Sequence, residues 1–355
     1  MLRKIFLLIK KFKINIKFNL NIYNKISMSS IEKNLFSQSF RKSILYHDAS
    51  LFTKCEKKEN ITKSQDSNKN KICSLNIGEE IVEGIIIDKF LFDGKESKFY
   101  LGKISSINSE VLIKSFSYSK KPSSIIPKIK DDFEKVKEII GDNIISYFDY
   151  QVDSNKKTCQ IFMEYLSGTI TLQKYFKEYN KNKNKNTGLP IKQIKLIIKG
   201  ILSGLKSLHE ENIYPGNINP ENILVNSDLS KIKIINYALK TRKDEILTYP
   251  YYSASKKVFL KFLPEYEYEN DIWSVGCITF ELFCGYRPYN KFSPHDAACS
   301  LAQCISPIEA ATEDIKDIFY DKKNRIVLDF LNQCFRNNDG ARPVAADLLT
   351  HKFLN

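Results

Sequence analysis

Residues 213–226 read "IYPGNINPENILVN". The second half, "NPENILVN" (219–226), is a short turn opened by Pro220 that runs into the apolar residues Ile223, Leu224 and Val225. The first half holds Pro215, Gly216 and Asn217, with no acid and no histidine. An amide at Asn217 can orient a hydroxyl group by hydrogen bonding but cannot take its proton.

The flanking segments place this stretch. "ENILVN" (221–226) and "KIKIIN" (231–236), joined by the turn "SDLS", predict a small hairpin. Upstream, "IKQIKLIIKGILSGLKSLHEE" (191–211) sets Ile191, Ile194, Ile198, Ile201, Leu205 and Leu208 at helical spacing. Downstream, "DIWSVGCITFELFCG" (271–285) is a mostly apolar helix with Gly285 past its end, so it is expected to be buried. The rest reads as helical to the C-terminus. "NKNKNKNTG" (180–188) predicts a low-complexity loop.

Nearer the N-terminus the period changes. "EGIIIDKFLFDG", "SKFYLGKIS" and "SEVLIKSFS" are three β-rich runs broken at Asp93-Gly94 and Asn108-Ser109. A helix is expected around 130–140, then two more strands in "IISYFDYQ" and "CQIFMEYL". The expected class is α+β: a small five-stranded, β-rich N-lobe over about 79–165 and a larger α-helical C-lobe over about 166–355.

That order of elements resembles the eukaryotic protein kinase fold, in the style of the Ser/Thr kinases, and the motifs make the likeness specific. "VLIK" (111–114) resembles the V-A-I-K strand, "FMEYLSG" (162–168) the hinge, and "NPENILVN" the end of H-R-D-x-K-P-E-N. "YPYYSAS" (249–255) resembles the run into A-P-E, while "DIWSVGCITFELFCGYRPY" (271–289) and "CFRNNDGARPVAADLLTHKFL" (334–354) resemble the later helices. They occur in order over about 270 residues.

The resemblance implies a role for each matching position. The Gly-rich phosphate loop maps to Phe92–Ser97 and keeps only Gly94; Glu96 adds negative charge there. Lys114 matches the phosphate-binding lysine, with Glu134 or Glu138 as its partner. Asn217 fills the catalytic base position and Asn219 that of the phosphate lysine; Tyr249 stands where a bridging Thr is usual. Asn222 retains a metal-ligand position. Asn236, in the "NYA" that replaces D-F-G, offers Mg²⁺ one neutral oxygen in place of a carboxylate. Lys256 fills the A-P-E glutamate position and would repel Arg342, with Glu265 as a rescue. The purine pocket maps to Phe99, Leu112 and Leu224, with Met163 at the hinge. Phe99 and Leu112 are larger than the family's Val and Ala, so a self-filled, occluded pocket is expected.

The whole chain has 355 residues and a net charge of +14. Residues 1–78 hold 16 Lys/Arg and 5 Asp/Glu, and the remaining 277 hold 39 and 36. The basic character therefore belongs to the leader, and a nucleic-acid-binding core is disfavoured. The eight cysteines show no CxxC and no Cys/His cluster, so they read as free thiols in a reducing compartment.

Residues 1–78 are expected to be a basic leader followed by a disordered linker, with the Lys, Asn and Ser-rich tract at 50–75. Residues 1–27 contain no acid. Three readings fit them: sequence upstream of a true start at Met28 instead of Met1, a mitochondrial presequence, or a helix that touches an acidic membrane surface. No run reaches the ~18–20 residues of a membrane span.

With phosphate loop, base, phosphate lysine and metal aspartate all changed, the expected function is that of a cytoplasmic pseudokinase. It would need no cofactor and would act as a scaffold or allosteric partner of a signalling protein, such as an active kinase. The alternative is an atypical or weak ATP- and Mg²⁺-dependent Ser/Thr kinase; a third is a structural or membrane-tethering protein.

Overall fold

The computed structural model describes residues 75, 80–82, 85–93, 97–104, 109–121, 123–183, 187–238, 250–252, 267–303, 305–336 and 342–355. The leader and most of the linker lie outside this set.

The N-terminal half builds one antiparallel sheet. Its strands are β1 (Glu80–Val82), β2 (Ile85–Asp93), β3 (Lys98–Ile104), β4 (Ser109–Ser117), β5 (Tyr147–Asp153) and β6 (Thr158–Glu164), in the order β1-β2-β3-β4-β6-β5. The five expected strands are present. The sixth, β1, is an edge strand of three residues, too short to carry an alternation that a sequence reader could see. Helix α1 (Ile125–Val136) starts earlier than expected. It buries Ile125, Ile129, Phe133 and Val136, an i, i+4, i+8, i+11 stripe that faces the core.

The chain then forms β7 (Thr169–Thr171), α2 (Leu172–Lys183) and α3 (Ile191–Glu210). The loop expected at 180–188 is shorter than expected, because α2 runs on to Lys183. The hairpin is β8 (Ile223–Asn226) with β9 (Ile232–Ile234); β7, not foreseen, adds to it as a third strand. On α3 the expected apolar face is buried except for Ile191, which stands in the exposed first turn.

Helix α4 (Glu267–Cys284) is the centre of the C-lobe: residues 271–280 are all buried. It packs against α3 and, on another side, α7 (Arg325–Cys334). Gly285 follows at φ 90°, and its N–H closes on the Glu281 carbonyl at 2.9 Å, as expected of a residue placed there to end the helix. Helices α5 (Pro294–Ala302), α6 (Glu313–Tyr320) and α8 (Ala345–Leu349) complete the lobe. Among the described residues, no helix is long and apolar enough to cross a membrane.

One apolar core runs from the α1 side of the sheet into the C-lobe, and a second, smaller one lies on the sheet's other face. Leu75, which the sequence reading places at the end of the linker, is packed on that second core.

Candidate functional site

The central loop leaves α3 through Asn212, at φ 56°, and reaches β8 by a 3-10 turn over Pro220–Asn222. A buried carboxylate holds its backbone. Asp271, at the base of α4, accepts from the Gly216 N–H at 2.7 Å with one oxygen and meets His209 Nε2 at 3.0 Å with the other. Gly216 sits at φ 63°, a conformation that costs glycine nothing. A carboxylate without solvent needs such partners, so Asp271 fixes the loop from beneath.

Three asparagines of the loop, Asn217, Asn219 and Asn222, form a network that Asn236 joins from beyond β9. Asn219 caps the 3-10 turn: its Oδ1 accepts from the Glu221 N–H and its Nδ2 donates to the Asn217 carbonyl, both at 2.9 Å. Asn222 Nδ2 donates to the same carbonyl at 3.0 Å and also to Asn217 Oδ1. Asn222 Oδ1 in turn accepts from Asn236 Nδ2 at 2.9 Å. Asn236 lies just past β9 at φ 56°, in the left-handed region that Asn tolerates better than most side chains. The sequence reading named all four residues, and the structure brings them together.

Next to Asn236, Tyr237 is buried and donates its hydroxyl to the Ile145 carbonyl at 2.7 Å. Burial pushes its phenol far above the ordinary value. Its ring meets Tyr147 edge-on at 5.3 Å, and Tyr147 donates to the Ala238 carbonyl at 3.3 Å. Lys233 on β9 adds a clasp: its ammonium donates to Glu164 at 2.9 Å, Ile144 O at 3.0 Å and Gly141 O at 3.4 Å. Glu164 also accepts from the Ser146 N–H at 3.1 Å. The end of β6, the segment before β5 and β9 are thereby tied together at the back of the site. Sequence reasoning missed this clasp, because no local pattern marks a Lys and a Glu 69 residues apart as partners.

Lys114 lies half-buried on β4, opposite Phe99 and Ile161. It stands close enough to Cys159 to draw that thiol down, against the burial that pushes it up to about 12. Of the two glutamates considered for Lys114, Glu134 is exposed and accepts from Lys137 at 2.8 Å, and Glu138 is exposed beyond α1. Asp132 is the one acid of α1 that is half-buried; it lies between Ile129 and Val136 on the buried stripe and was not considered.

The pocket residues divide. Leu112 and Met163 are register partners on β4 and β6, and both pack into the large core. Phe99 stacks on Phe92 at 4.6 Å and 19°. Leu224 is half-buried on β8, between Thr171 and Lys233. Arg342 donates to the Glu269 carbonyl at 3.1 Å and lies 5.0 Å over the Trp273 ring. Gly94, Glu96, Tyr249, Lys256 and Glu265 lie outside the described residues.

A bilobal fold with a sheet-rich lobe, a helical lobe and a buried-aspartate-anchored loop between them defines the protein kinase class. The protein kinase domain family matches residues 87–354, so the chain belongs to that family. It is similar to Mitogen-activated protein kinase kinase kinase 3 of Arabidopsis thaliana, 26% identical over 276 residues, which cover 75% of this chain and 42% of the relative. It is also similar to Serine/threonine-protein kinase shk1/pak1 of Schizosaccharomyces pombe, 26% identical over 269 residues (74% and 37%). A third relative, MAP3K epsilon protein kinase 1 of Brassica napus, is 25% identical over 268 residues (74% and 19%). The chain spans less than half the length of each of these relatives.

Proposed function

We propose that this protein is a pseudokinase: a protein-kinase fold that works by binding, as a scaffold or allosteric partner of a signalling protein. The bond from Asn236 Nδ2 to Asn222 Oδ1 carries the reading. Phosphoryl transfer by this fold needs a carboxylate and an amide oxygen on Mg²⁺ and a second carboxylate near the hydroxyl. Here both carboxylate positions are amides, and the one side-chain oxygen of Asn222 is engaged by its neighbour. Neutral amides suit Mg²⁺ poorly, since the ion favours anionic oxygen. The reading is also supported by Phe99 and Leu112, which are larger than the Val and Ala that the family places at those two purine-pocket positions.

The enzyme reading has its own support in Lys114, which keeps the phosphate-binding position on β4, and in relatives named as protein kinases. Nucleotide titration separates the two. A ligand at about 100 times its Kd stabilises a protein by ~2.7 kcal/mol, enough to move the melting temperature visibly. Millimolar ATP or ADP, with or without Mg²⁺, is expected to leave Tm unchanged. A clear shift together with metal-dependent phosphoryl transfer that Lys114→Ala abolishes would move the enzyme reading ahead.

A further inference from the structure

Tyr237 stands at the Phe position of D-F-G, so its hydroxyl is an addition to that position. The hydroxyl has a partner across the fold. Tyr237 is buried and donates to the Ile145 carbonyl at 2.7 Å. Ile145 lies in the segment between α1 and β5. Tyr147, two residues further on and also buried, sends its hydroxyl the other way, to the Ala238 carbonyl at 3.3 Å. The two rings meet edge-on. Each tyrosine therefore bonds the backbone beside the other. Separating them would leave buried hydroxyls and carbonyls unpaired, which costs free energy. The Tyr237 bond, at the usual length for two oxygens, is the stronger of the two.

The same two segments also meet through backbone. Ile144 and Ile234 form a parallel bridge: the Ile234 N–H donates to Asn143 O at 2.8 Å, and the Ile145 N–H to Ile234 O at 3.0 Å. In sequence, this bridge precedes Asn236 and the tyrosine pair follows it, so Asn236 is held from both ends. Its conformation needs holding. At φ 56° it occupies the left-handed region, which disfavours side chains and which Asn only tolerates. From there its Nδ2 reaches Asn222 Oδ1 at 2.9 Å. Ala238, in place of the Gly of D-F-G, narrows the backbone freedom of the segment further.

We propose that Tyr237 and Tyr147 form a latch that holds Asn236 in its left-handed turn and so keeps the Asn222 oxygen engaged. The latch fixes residues 236–238 in one position and shuts the metal side of the site with the chain's own groups. It rests on the pseudokinase reading for the meaning of that closure.

Hydrogen exchange of the full chain tests the latch. Tyr237→Phe removes one hydroxyl and is expected to speed exchange of peptides covering 143–147 and 232–238 by at least ~10-fold, with peptides of α4 unchanged. Tyr147→Phe should act in the same direction to a smaller degree. Tyr320→Phe, which removes an exposed hydroxyl, should leave both peptides as they are. Thermal melts give a second arm. Asn236→Gly removes the amide and the cost of the left-handed turn together, so in that background the fall in Tm caused by Tyr237→Phe is expected to shrink by about half or more. Unchanged exchange in Tyr237→Phe, or the same loss of Tm in both backgrounds, would overturn the latch. If Tyr237→Phe does not fold, Tyr147→Phe is read through both arms in its place. Stabilisation of the wild type by nucleotide would instead overturn the pseudokinase reading and leave the exchange result standing.

Discussion

Asn217 shares its carbonyl with the amides of Asn219 and Asn222, so the side chains around the base position are tied to one another by neutral groups. Restoring one charge should therefore not restore the chemistry. Asn217→Asp is expected to give no measurable metal-dependent phosphate incorporation into a protein substrate, because Asn236 and Asn219 remain; removing a single electrostatic contact typically costs ~10²–10³ in rate, and several are missing together. Robust activity in that one variant would sink the pseudokinase reading. A second residue bears on stability. Glu281 on α4 accepts from the Tyr252 hydroxyl, yet burial outweighs that bond and the charges of Arg287 and Lys177 and pushes the carboxyl from 4.5 up to about 7. Between those values the folded protein keeps a proton that the unfolded chain has released, so this group withdraws stability as pH rises through the window. Glu281→Gln should flatten that slope, read from urea midpoints at about pH 5 and about pH 7.5. An equal slope in both proteins would show that other groups set it.

Helix α3 owes its close approach to the hairpin to two glycines. A Cβ at Gly200 would stand 2.8 Å from the Ile232 side chain, and one at Gly204 would stand 2.6 Å from the Asn143 carbonyl oxygen. The second is the harder contact, because that backbone is held: Ile234 N–H donates to the same carbonyl at 2.8 Å, and Asn143 Nδ2 donates to Ile232 O at 2.8 Å. Gly204→Ala is expected to destabilise by ~1–3 kcal/mol through overpacking, despite the better helix propensity of Ala. Lys206→Ala, on the exposed side of the same helix, should stay within about ±0.5 kcal/mol. Urea denaturation of both variants checks the contrast, and equal midpoints would mean that α3 can draw back from β9 at no cost.

At the scale of the molecule, charge and fold are segregated. Residues 1–78 carry 16 basic and 5 acidic groups, whereas the remaining 277 carry 39 and 36. Residues 1–27 contain no acid and precede the Lys, Asn and Ser-rich tract at 50–75. Removal of residues 1–27 is expected to leave the melting temperature of the chain unchanged, whereas a fall of more than a few degrees would show that they dock on the fold.

The amino-acid sequence by itself determined the class of fold and the order of its parts. The apolar period of α3, the continuous apolar run of α4 and the turn at Asn219–Asn222 are local, and each segment's burial pattern is written in its own residues. It also determined which chemical groups occupy the site, since an amide at 217 or 236 is an amide in any fold. Tertiary structure decided who meets whom. A bulge between Phe90 and Phe92 carries Phe92 across the pleat, so that it pairs with Phe99 while Phe90 pairs with Tyr100. The rotation of α1, set by Phe133 and Val136 against the core, leaves Glu134 exposed and Asp132 half-buried. Asn222 and Asn236 are 14 residues apart, and Lys233 and Glu164 are 69 apart. Such pairs depend on how elements dock, and docking is decided by the summed burial of many side chains, which no single stretch of sequence displays.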